Sequence, residues 1–486
     1  MTTILHLSDL HRDPSHPLTN AALVESLTRD IDRYPREAPP ITPPDLILIS
    51  GDLVAGVLPN APNAAADLSR QYAEAGMFLS TLADRFLQGD HNRVVIVPGN
   101  HDVSFPHVIG SLRQLAVAHG NCFEEEAIAQ YVKKLRTPCS TLRWSWAHLS
   151  FFELIDPDTY HMRFQPFADF YHSFYGTSRT YSLTPEQQYD IFAYPDLDLA
   201  IAAFNSCHNN DPLNRTGSIH PDCIATAFRQ LSTVENRRLL RFAVWHHSTS
   251  ASPYRDDYMD PEILQVFIDY GFSIAFHGHH HRPQVIDERF LFGEDRKITI
   301  IIAGTLCGGS LSLSGGQPRS YNVIEIDTAA FTAKLHLRQM LNSTFESPIW
   351  GPGLLHSTRK SYIEFGVQQP HPASAPRESI IFAEAEKLLA IGKPEEATKL
   401  VLPYAQTNDI ARRLLREALV SAGDTRRIID HLYPPQGSAE FLHVADALWE
   451  EKDYPRLRAL LADPAIDRSD PAIAESSRKY SARLGL

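Results

Sequence analysis

The chain has 486 residues, 43% of them hydrophobic and 21% charged, with a formal net charge of −13. That length exceeds one simple core and implies two domains, and the composition is that of an ordinary folded protein. The acidity, which lies mostly before residue 376, excludes a broad basic footprint for nucleic acid but leaves room for a local groove.

Cys122, Cys139, Cys207, Cys223 and Cys307 are scattered without CxxC spacing. An odd, sparse set of this kind reads as reduced thiols in a cytoplasmic protein. Met1 to Leu7 enters an apolar strand with no basic n-region, long apolar stretch or cleavage site, so no secretory leader is expected. No run approaches about 18 apolar residues, and no membrane span is expected.

Taken in chain order, Ile4–Leu7, Leu46–Ile49, Val94–Val97, Leu199–Phe204, Phe242–Trp245 and Ile274–Phe276 are short apolar runs without alternation. They suit strands buried on both faces of a sheet. Leu68–Leu87 and Pro261–Tyr270 have helical periodicity, so the pattern is α/β layering. Ile298–Ala303, Tyr321–Ile326 and Leu335–Met340 predict further strands. Between Val103 and Pro195 the pattern is irregular and includes the aromatic stretch Phe164–Tyr175. That stretch is read either as an inserted helix packed on the main domain or as a cap whose rings stack a base.

Residues 366–376 form a Pro-rich linker. Beyond it the sequence predicts helices only, with a weak repeat of about 30 residues closed by Pro403, Pro434 and Pro464. Ala385–Lys393, Leu415–Asp424 and, more loosely, Ala445–Asp453 are matching segments. Helix pairs that cannot bury their own apolar faces stack into a small solenoid. This part resembles a tetratricopeptide-like array, a type that binds protein partners. The predicted domains are therefore 1–365, with 103–195 as an insert or cap, and 377–486.

Polar clusters follow five of the predicted strands. They are Ser8-Asp9-Leu10-His11, Ser50-Gly51-Asp52, Gly99-Asn100-His101-Asp102, His246-His247 and Gly278-His279-His280-His281. Ligands of α/β sheets collect at the carboxyl ends of strands. Histidines and carboxylates gathered there point to a divalent metal site. One Asp-x-His alone is more often a turn; the combination is not.

The set D-x-H, G-D, G-N-H-D, a strand-terminal H and G-H-x-H resembles the calcineurin-like metallophosphoesterase superfamily over roughly residues 1–345. The resemblance implies an α/β sandwich of two mixed sheets flanked by helices, with two metal ions at one edge. It implies that Asp9, His11 and His281 hold one ion, that Asn100, His246 and His279 hold the other, and that Asp52 bridges them. His247 is the alternative to His246, His280 points away, and His277 packs or hydrogen-bonds nearby. Mixed N and O donors admit Mn²⁺, taken first, or Fe, Zn²⁺, Ni²⁺ or Co²⁺. A carboxylate has the two oxygens and the charge to bridge a metal pair, which acidifies a bridging water for in-line attack. His101 is implied to face the substrate as general acid or phosphate donor, or else to be a prop. Asp102 is expected to orient that imidazole, or else to cap the local backbone.

Among branches, the protein Ser/Thr phosphatases carry an arginine soon after G-D, where this chain has Leu53-Val54-Ala55-Gly56. Purple acid phosphatases have a tyrosine at the position of Ala55 and D-x-G in place of Asp9-Leu10-His11. The D-x-H with G-N-H-D resembles the cyclic-nucleotide phosphodiesterases and the nuclease subunits of double-strand-break repair. The expected function is hydrolysis of phosphodiesters of nucleotide or cyclic-nucleotide type. The alternatives are a repair-type DNA/RNA nuclease, a phosphomonoesterase or protein phosphatase recruited through the helical tail, and a scaffold without activity. The basic groups Lys133-Lys134-Leu135-Arg136 and Arg237-Arg238 with Arg241 read as solvated helix faces, and the intact ligand set argues against a scaffold.

Overall fold

The computed structural model describes the chain except residues 59–60, 116–130, 132–133, 136–139, 147, 234, 251–256, 289–296, 310–312, 314–316, 356–359, 370–375 and 486. Cys122, Cys139, Lys133, Arg136 and much of the predicted linker lie outside the described residues. The chain divides into two compact units, residues 1–373 and 374–486.

The first unit contains, in chain order, β1 (Thr2–Leu7), β2 (Leu46–Ile49), β3 (Val94–Ile96), β4 (Leu112–Gln114), β5 (Leu142–Ser145), β6 (Ser150–Leu154), β7 (Tyr189–Tyr194) and β8 (Leu199–Phe204). It continues with β9 (Leu240–Val244), β10 (Phe272–His277), β11 (Gln284–Glu288), β12 (Ile298–Ile302), β13 (Ser320–Asp327), β14 (Thr332–Met340), β15 (Trp350–Pro352) and β16 (Tyr362–Gly366). One mixed sheet has the order β15-β14-β13-β1-β2-β3, with β16 also paired to β14. The other has the order β11-β12-β10-β9-β8-β7. In the first, β1, β2 and β3 are parallel. In the second, β8, β9, β10 and β12 are parallel, with antiparallel β7 and β11 at the edges. Parallel strands bring their carboxyl ends to one side of a sheet, so each sheet offers one rim on which loop residues converge.

The sheets pack face to face. One apolar cluster takes Ile4, Leu5, Ile47 and Ile49 from the first and Phe242, Val244, Ile274 and Phe276 from the second. Helices Asn20–Ile31 and Ala64–Phe86 flank the first sheet's parallel strands and bury Leu23, Leu27, Phe78 and Leu82 in the same cluster. The architecture is the α/β metallophosphoesterase sandwich expected from the motifs, followed by an all-α unit. Among the described residues no helix is long and apolar enough to cross a membrane.

The irregular stretch resolves into a small antiparallel sheet, β4-β6-β5, and helices. Its last strand, β7, is an edge of the second main sheet rather than part of an insert. The aromatic helix Gln165–Tyr175 buries Phe167, Phe170, Tyr171, Phe174 and Tyr175 in the main core. Phe170 stacks on Tyr72 with ring centres 5.3 Å apart. These rings are held chiefly by packing in that core. A cavity of about 610 Å³ beside this helix is lined by Leu68, Tyr72, His107 and Phe170, and none of the candidate ligands reaches it. Arg241, read as part of a solvated patch, is buried in β9 and donates to the carbonyls of Leu231 and Tyr270.

The second unit places long helices at Pro376–Ala390, Asp409–Ala422, Ser438–Glu450 and Pro471–Leu484, with shorter ones at Pro394–Val401, Thr425–Leu432 and Tyr454–Ala462 between them. The segments that matched in sequence end on left-handed residues, Gly392, Gly423 and Lys452, with φ of 74°, 67° and 60°. A left-handed residue closes a helix at this position. Arg412 makes paired 2.7 Å contacts with Glu440, and Arg413 reaches Glu386 at 2.7 Å, tying successive long helices together.

One buried ion pair fastens the first helix to the first sheet. Arg338 on β14 donates from Nε and Nη2 to Asp30 at 2.8 and 2.6 Å, and to Glu37 at 2.9 Å. Asp30 and Arg338 are almost wholly buried. Removing Arg338 takes two charge-assisted bonds from the buried Asp30 and leaves it Arg33, at 2.5 Å, and the Tyr321 hydroxyl. Arg338→Ala is therefore expected to destabilise, by less than the ~3–5 kcal/mol of a fully stranded buried charge, measured as a shift in the urea midpoint at unchanged slope.

Candidate metal centre

The rims of the two sheets meet at the ends of β1, β2 and β3 on one side and β9 and β10 on the other. Asp9 and His11 follow β1, Asp52 follows β2, Asn100 opens a short turn after β3, His246 follows β9, and His279 and His281 follow β10. The structure brings all seven predicted ligands together. His281 Nε2 lies 3.0 Å from Asp9 Oδ1. His11 Nε2 lies 4.0 Å from the same oxygen and 3.9 Å from Asp52 Oδ2. On the other side, Asn100 Oδ1 lies 3.1 Å from His246 Nε2 and 3.0 Å from His279 Nδ1. His246 Nε2 is 3.4 Å from Asp52 Oδ2.

Asp52 stands between the groups, but through one oxygen. Its Oδ1 accepts the His101 backbone N–H at 2.9 Å. Only Oδ2 faces His11 and His246. The turn at Asn100 thus holds Oδ1, while Oδ2 lies between the two groups.

The donor chemistry fits a cation. His246 Nδ1 is 2.7 Å from the Ser50 carbonyl, which can only accept, so Nδ1 carries the proton and neutral Nε2 presents a lone pair. That lone pair faces the oxygens of Asn100 and Asp52. Acceptors turned on acceptors need a positive charge between them. Separations of 3.0–3.4 Å suit donors about 2.1 Å from a shared ion. The electrostatics show the same demand for positive charge: burial disfavours a charged imidazole, yet Asp52 beside it pushes His246 up to about 9, so a proton holds Nε2 until a cation displaces it. Burial likewise favours neutral acids, but His281 holds Asp9 below the usual carboxylate range, and His246 does the same for Asp52.

The backbone is bent to this purpose. Asp9, His11, Asp52, His279 and His281 have φ of 53°, 43°, 53°, 73° and 54°. Left-handed backbone costs a non-glycine residue about 1 kcal/mol or more, and clusters of it occur where function overrides conformational preference. Two glycines supply clearance. A Cβ on Gly99 would overlap the Asp52 carboxylate, and one on Gly278 would overlap Ser8 Oγ and Asp9 Oδ2.

His101 keeps a separate place. Its Nδ1 lies 2.8 Å from the Ala55 carbonyl and so donates, leaving Nε2 facing the site 4.0 Å from Asp52 Oδ2. The Asp102 carboxylate does not serve it. Asp102 Oδ2 accepts from the backbone N–H of Gly99 and Leu53 at 2.8 and 3.2 Å, and Oδ1 accepts from Tyr72 Oη at 3.1 Å. Of the two expectations for Asp102, its bonds are those of the backbone cap and not of a partner to the imidazole. Asp102 ties the loops after β2 and β3 together, and burial with the nearby Asp52 pushes its carboxyl up to about 7.

His247 is turned away from the ligands, with Nδ1 2.9 Å from Ser206 Oγ and Nε2 3.1 Å from Asn210 Nδ2. His277 is buried, and its Nδ1 donates to the Gly278 carbonyl at 3.1 Å. His280 faces Asp257 at 3.6 Å. Sequence reasoning missed Ser206, which accepts from the N–H groups of His246 and His247, and Thr305, whose hydroxyl donates to the Asp9 carbonyl at 3.0 Å. Thr305 had a readable signal, because Gly304-Thr305 follows β12 as the other clusters follow their strands.

The sequence model of the calcineurin-like phosphoesterases matches residues 2–283. The chain belongs to that family. It is accordingly a metal-dependent phosphoric ester hydrolase of a kind that uses divalent ions. No curated protein matches the chain. Among solved structures, a single mutant of Vps29 from Entamoeba histolytica aligns at 10% identity and a TM-score of 0.25, over 75% of this chain and 100% of that one. Vps29 of Chaetomium thermophilum aligns at 9% and 0.24, over 76% and 98%. The calcineurin-like phosphoesterase YfkN of Bacillus subtilis aligns at 9% and 0.28, over 79% and 96%.

Gly278→Ala tests the clearance argument in this phosphoesterase. It is expected to lower divalent-metal affinity at least about tenfold, as loss of support behind a ligand does, with far-UV circular dichroism unchanged. Titration against a chelating indicator reads the affinity.

Proposed function

We propose that the chain is a dinuclear phosphodiesterase acting on nucleotide or cyclic-nucleotide diesters. Asp9, His11 and His281 form one metal site, Asn100, His246 and His279 form the other, and Asp52 Oδ2 is shared. The observation that carries this reading is the position of that oxygen, 3.9 Å from His11 and 3.4 Å from His246, one from each group. Bound divalent ions would supply Lewis acidity and an acidified water. Mn²⁺ is the first candidate, since imidazole, carboxylate and amide oxygen form a mixed, moderately hard set.

His101 handles the proton at the substrate. Its Nδ1–H is committed to Ala55, so Nε2 is the one ring position from which it gives or receives a proton. Protonated there, it donates to a phosphoryl or leaving-group oxygen. Preference for a diester rests on the residues directly after Gly51-Asp52. Leu53 and Val54 are fully buried, and Ala55 spends its carbonyl on His101. No guanidinium occupies that run to grip a dianionic monoester, and a diester carries one charge fewer.

The helical unit is proposed as a repeat array that recruits a protein partner. The protein is proposed to work in the cytoplasm; the described cysteines, Cys207, Cys223 and Cys307, are free and buried, in keeping with a reducing setting.

A panel of a phosphomonoester, a simple diester, cyclic nucleotides and end-labelled single- and double-stranded DNA, each with Mn²⁺, Zn²⁺ or Ni²⁺, tests the reading. Faster turnover of diester than monoester is expected. The reverse order makes the protein a phosphomonoesterase, and processing of DNA ends makes it a nuclease. Asp52→Ala is expected to abolish turnover and reduce bound metal in elemental analysis. His101→Ala is expected to keep its metal while kcat falls about 10²–10⁴-fold, most for poor leaving groups. Metal loss in that variant would refute the proton-handling role.

A further inference from the structure

The Asp257 carboxylate, from the segment between β9 and helix Ile263–Asp269, lies against the two adjacent imidazoles of the His279-His280 pair. Its Oδ2 is 3.7 Å from His279 Nε2, and its Oδ1 is 3.6 Å from His280 Nε2. His279 Nδ1 is turned the other way, toward Asn100 and His246. His279 Nε2 is buried and has no hydrogen-bond partner among the described residues.

We infer that Asp257 is a positioning residue for the second metal site, acting through His279. The inference rests on the reading of His279 as a ligand through Nδ1. An imidazole that gives its Nδ1 lone pair to a cation must carry its proton on Nε2, and that proton needs an acceptor. His246 shows the pattern in the same site, since the nitrogen opposite its inward face donates to the Ser50 carbonyl at 2.7 Å. Asp257 holds the matching place behind His279. The present 3.7 Å is wider than a hydrogen bond, and a cation at Nδ1 makes the Nε2 proton more acidic and draws the carboxylate in.

The backbone just after Asp257 is anchored. Met259 N–H donates to the Ser248 carbonyl at 2.8 Å, and Gly217 N–H donates to the Tyr258 carbonyl at 3.1 Å. Met259 is buried. These bonds bring the segment back to the end of β9, beside His246 and His247. The same carboxylate also faces His280, with Oδ1 3.6 Å from its Nε2.

The test uses the full chain and its Asp257→Ala, Asp257→Asn and Asp257→Glu variants, titrated with Mn²⁺ against a chelating indicator and with Co²⁺ by visible absorption. The wild type is expected to take two ions. In Asp257→Ala the first should bind unchanged and the second about 10–100-fold more weakly, with altered absorption of the second Co²⁺. Asp257→Glu should recover part of the loss. If Asp257→Ala does not fold, the isosteric Asp257→Asn carries the comparison, with a smaller loss in the same direction. Unchanged affinity and absorption for both ions overturns the inference while leaving the dinuclear reading intact. Three ions in the wild type and two in Asp257→Ala would also overturn it, by making Asp257 a ligand. Fewer than two ions in the wild type overturns the dinuclear reading, and this inference with it.

Discussion

The structure turns on a set of buried acceptors that face one another. Asp52 Oδ2, Asn100 Oδ1 and the inward nitrogens of His246 and His279 lie within 3.0–3.4 Å of a neighbour, with no donor that satisfies all of them. In a low-dielectric interior such a cluster is unfavourable unless a cation enters it. The sandwich holds the cluster together because its ligands directly follow different strands of two sheets, each fixed by its own ladder and shared core. No ligand can withdraw without moving a strand.

That arrangement accounts for features that would otherwise be faults. Left-handed backbone at five of the ligands is unfavourable locally, yet it aims side chains from the strand ends back across the gap between the sheets. Gly99 and Gly278 contribute no side chain, and that is their use, because Asp52 and Asp9 occupy the space a Cβ would fill. The supporting polar groups follow the same logic. Ser50, Ser206 and Thr305 each hold the backbone or outer face of a ligand, so that its inner face has one orientation.

The parallel core and the ligand set were legible because both leave local marks. A strand buried on two faces is a short apolar run, and a ligand cluster is a polar group at its end. Edge strands leave weaker marks: β7 and β11 mix polar and apolar residues and are defined by their neighbours. The choice between the two readings of Asp102 was not legible because it depends on which way a side chain turns after β3. Adjacency to His101 suggested a pair, whereas the unsatisfied N–H groups of Gly99 and Leu53 set the stronger demand on that carboxylate. In the tail, the three segments that matched in sequence share a left-handed residue near their ends, with Lys452 where the other two use glycine.

Exposure separates the residues that hold the centre from the one that meets the substrate. The Asp and His side chains among the candidate ligands are at most 14% exposed, whereas His101 is 43% exposed. A ligand set so enclosed contacts a substrate only through the ions it binds, and it can treat one phosphate ester much like another. Discrimination among esters then falls to groups at the rim: the His101 ring and the loops that leave the ends of β3 and β9. Those loops also carry Asn100, His246 and Asp257, so only their positions away from the metal centre are free to vary, and the motifs alone do not name the substrate.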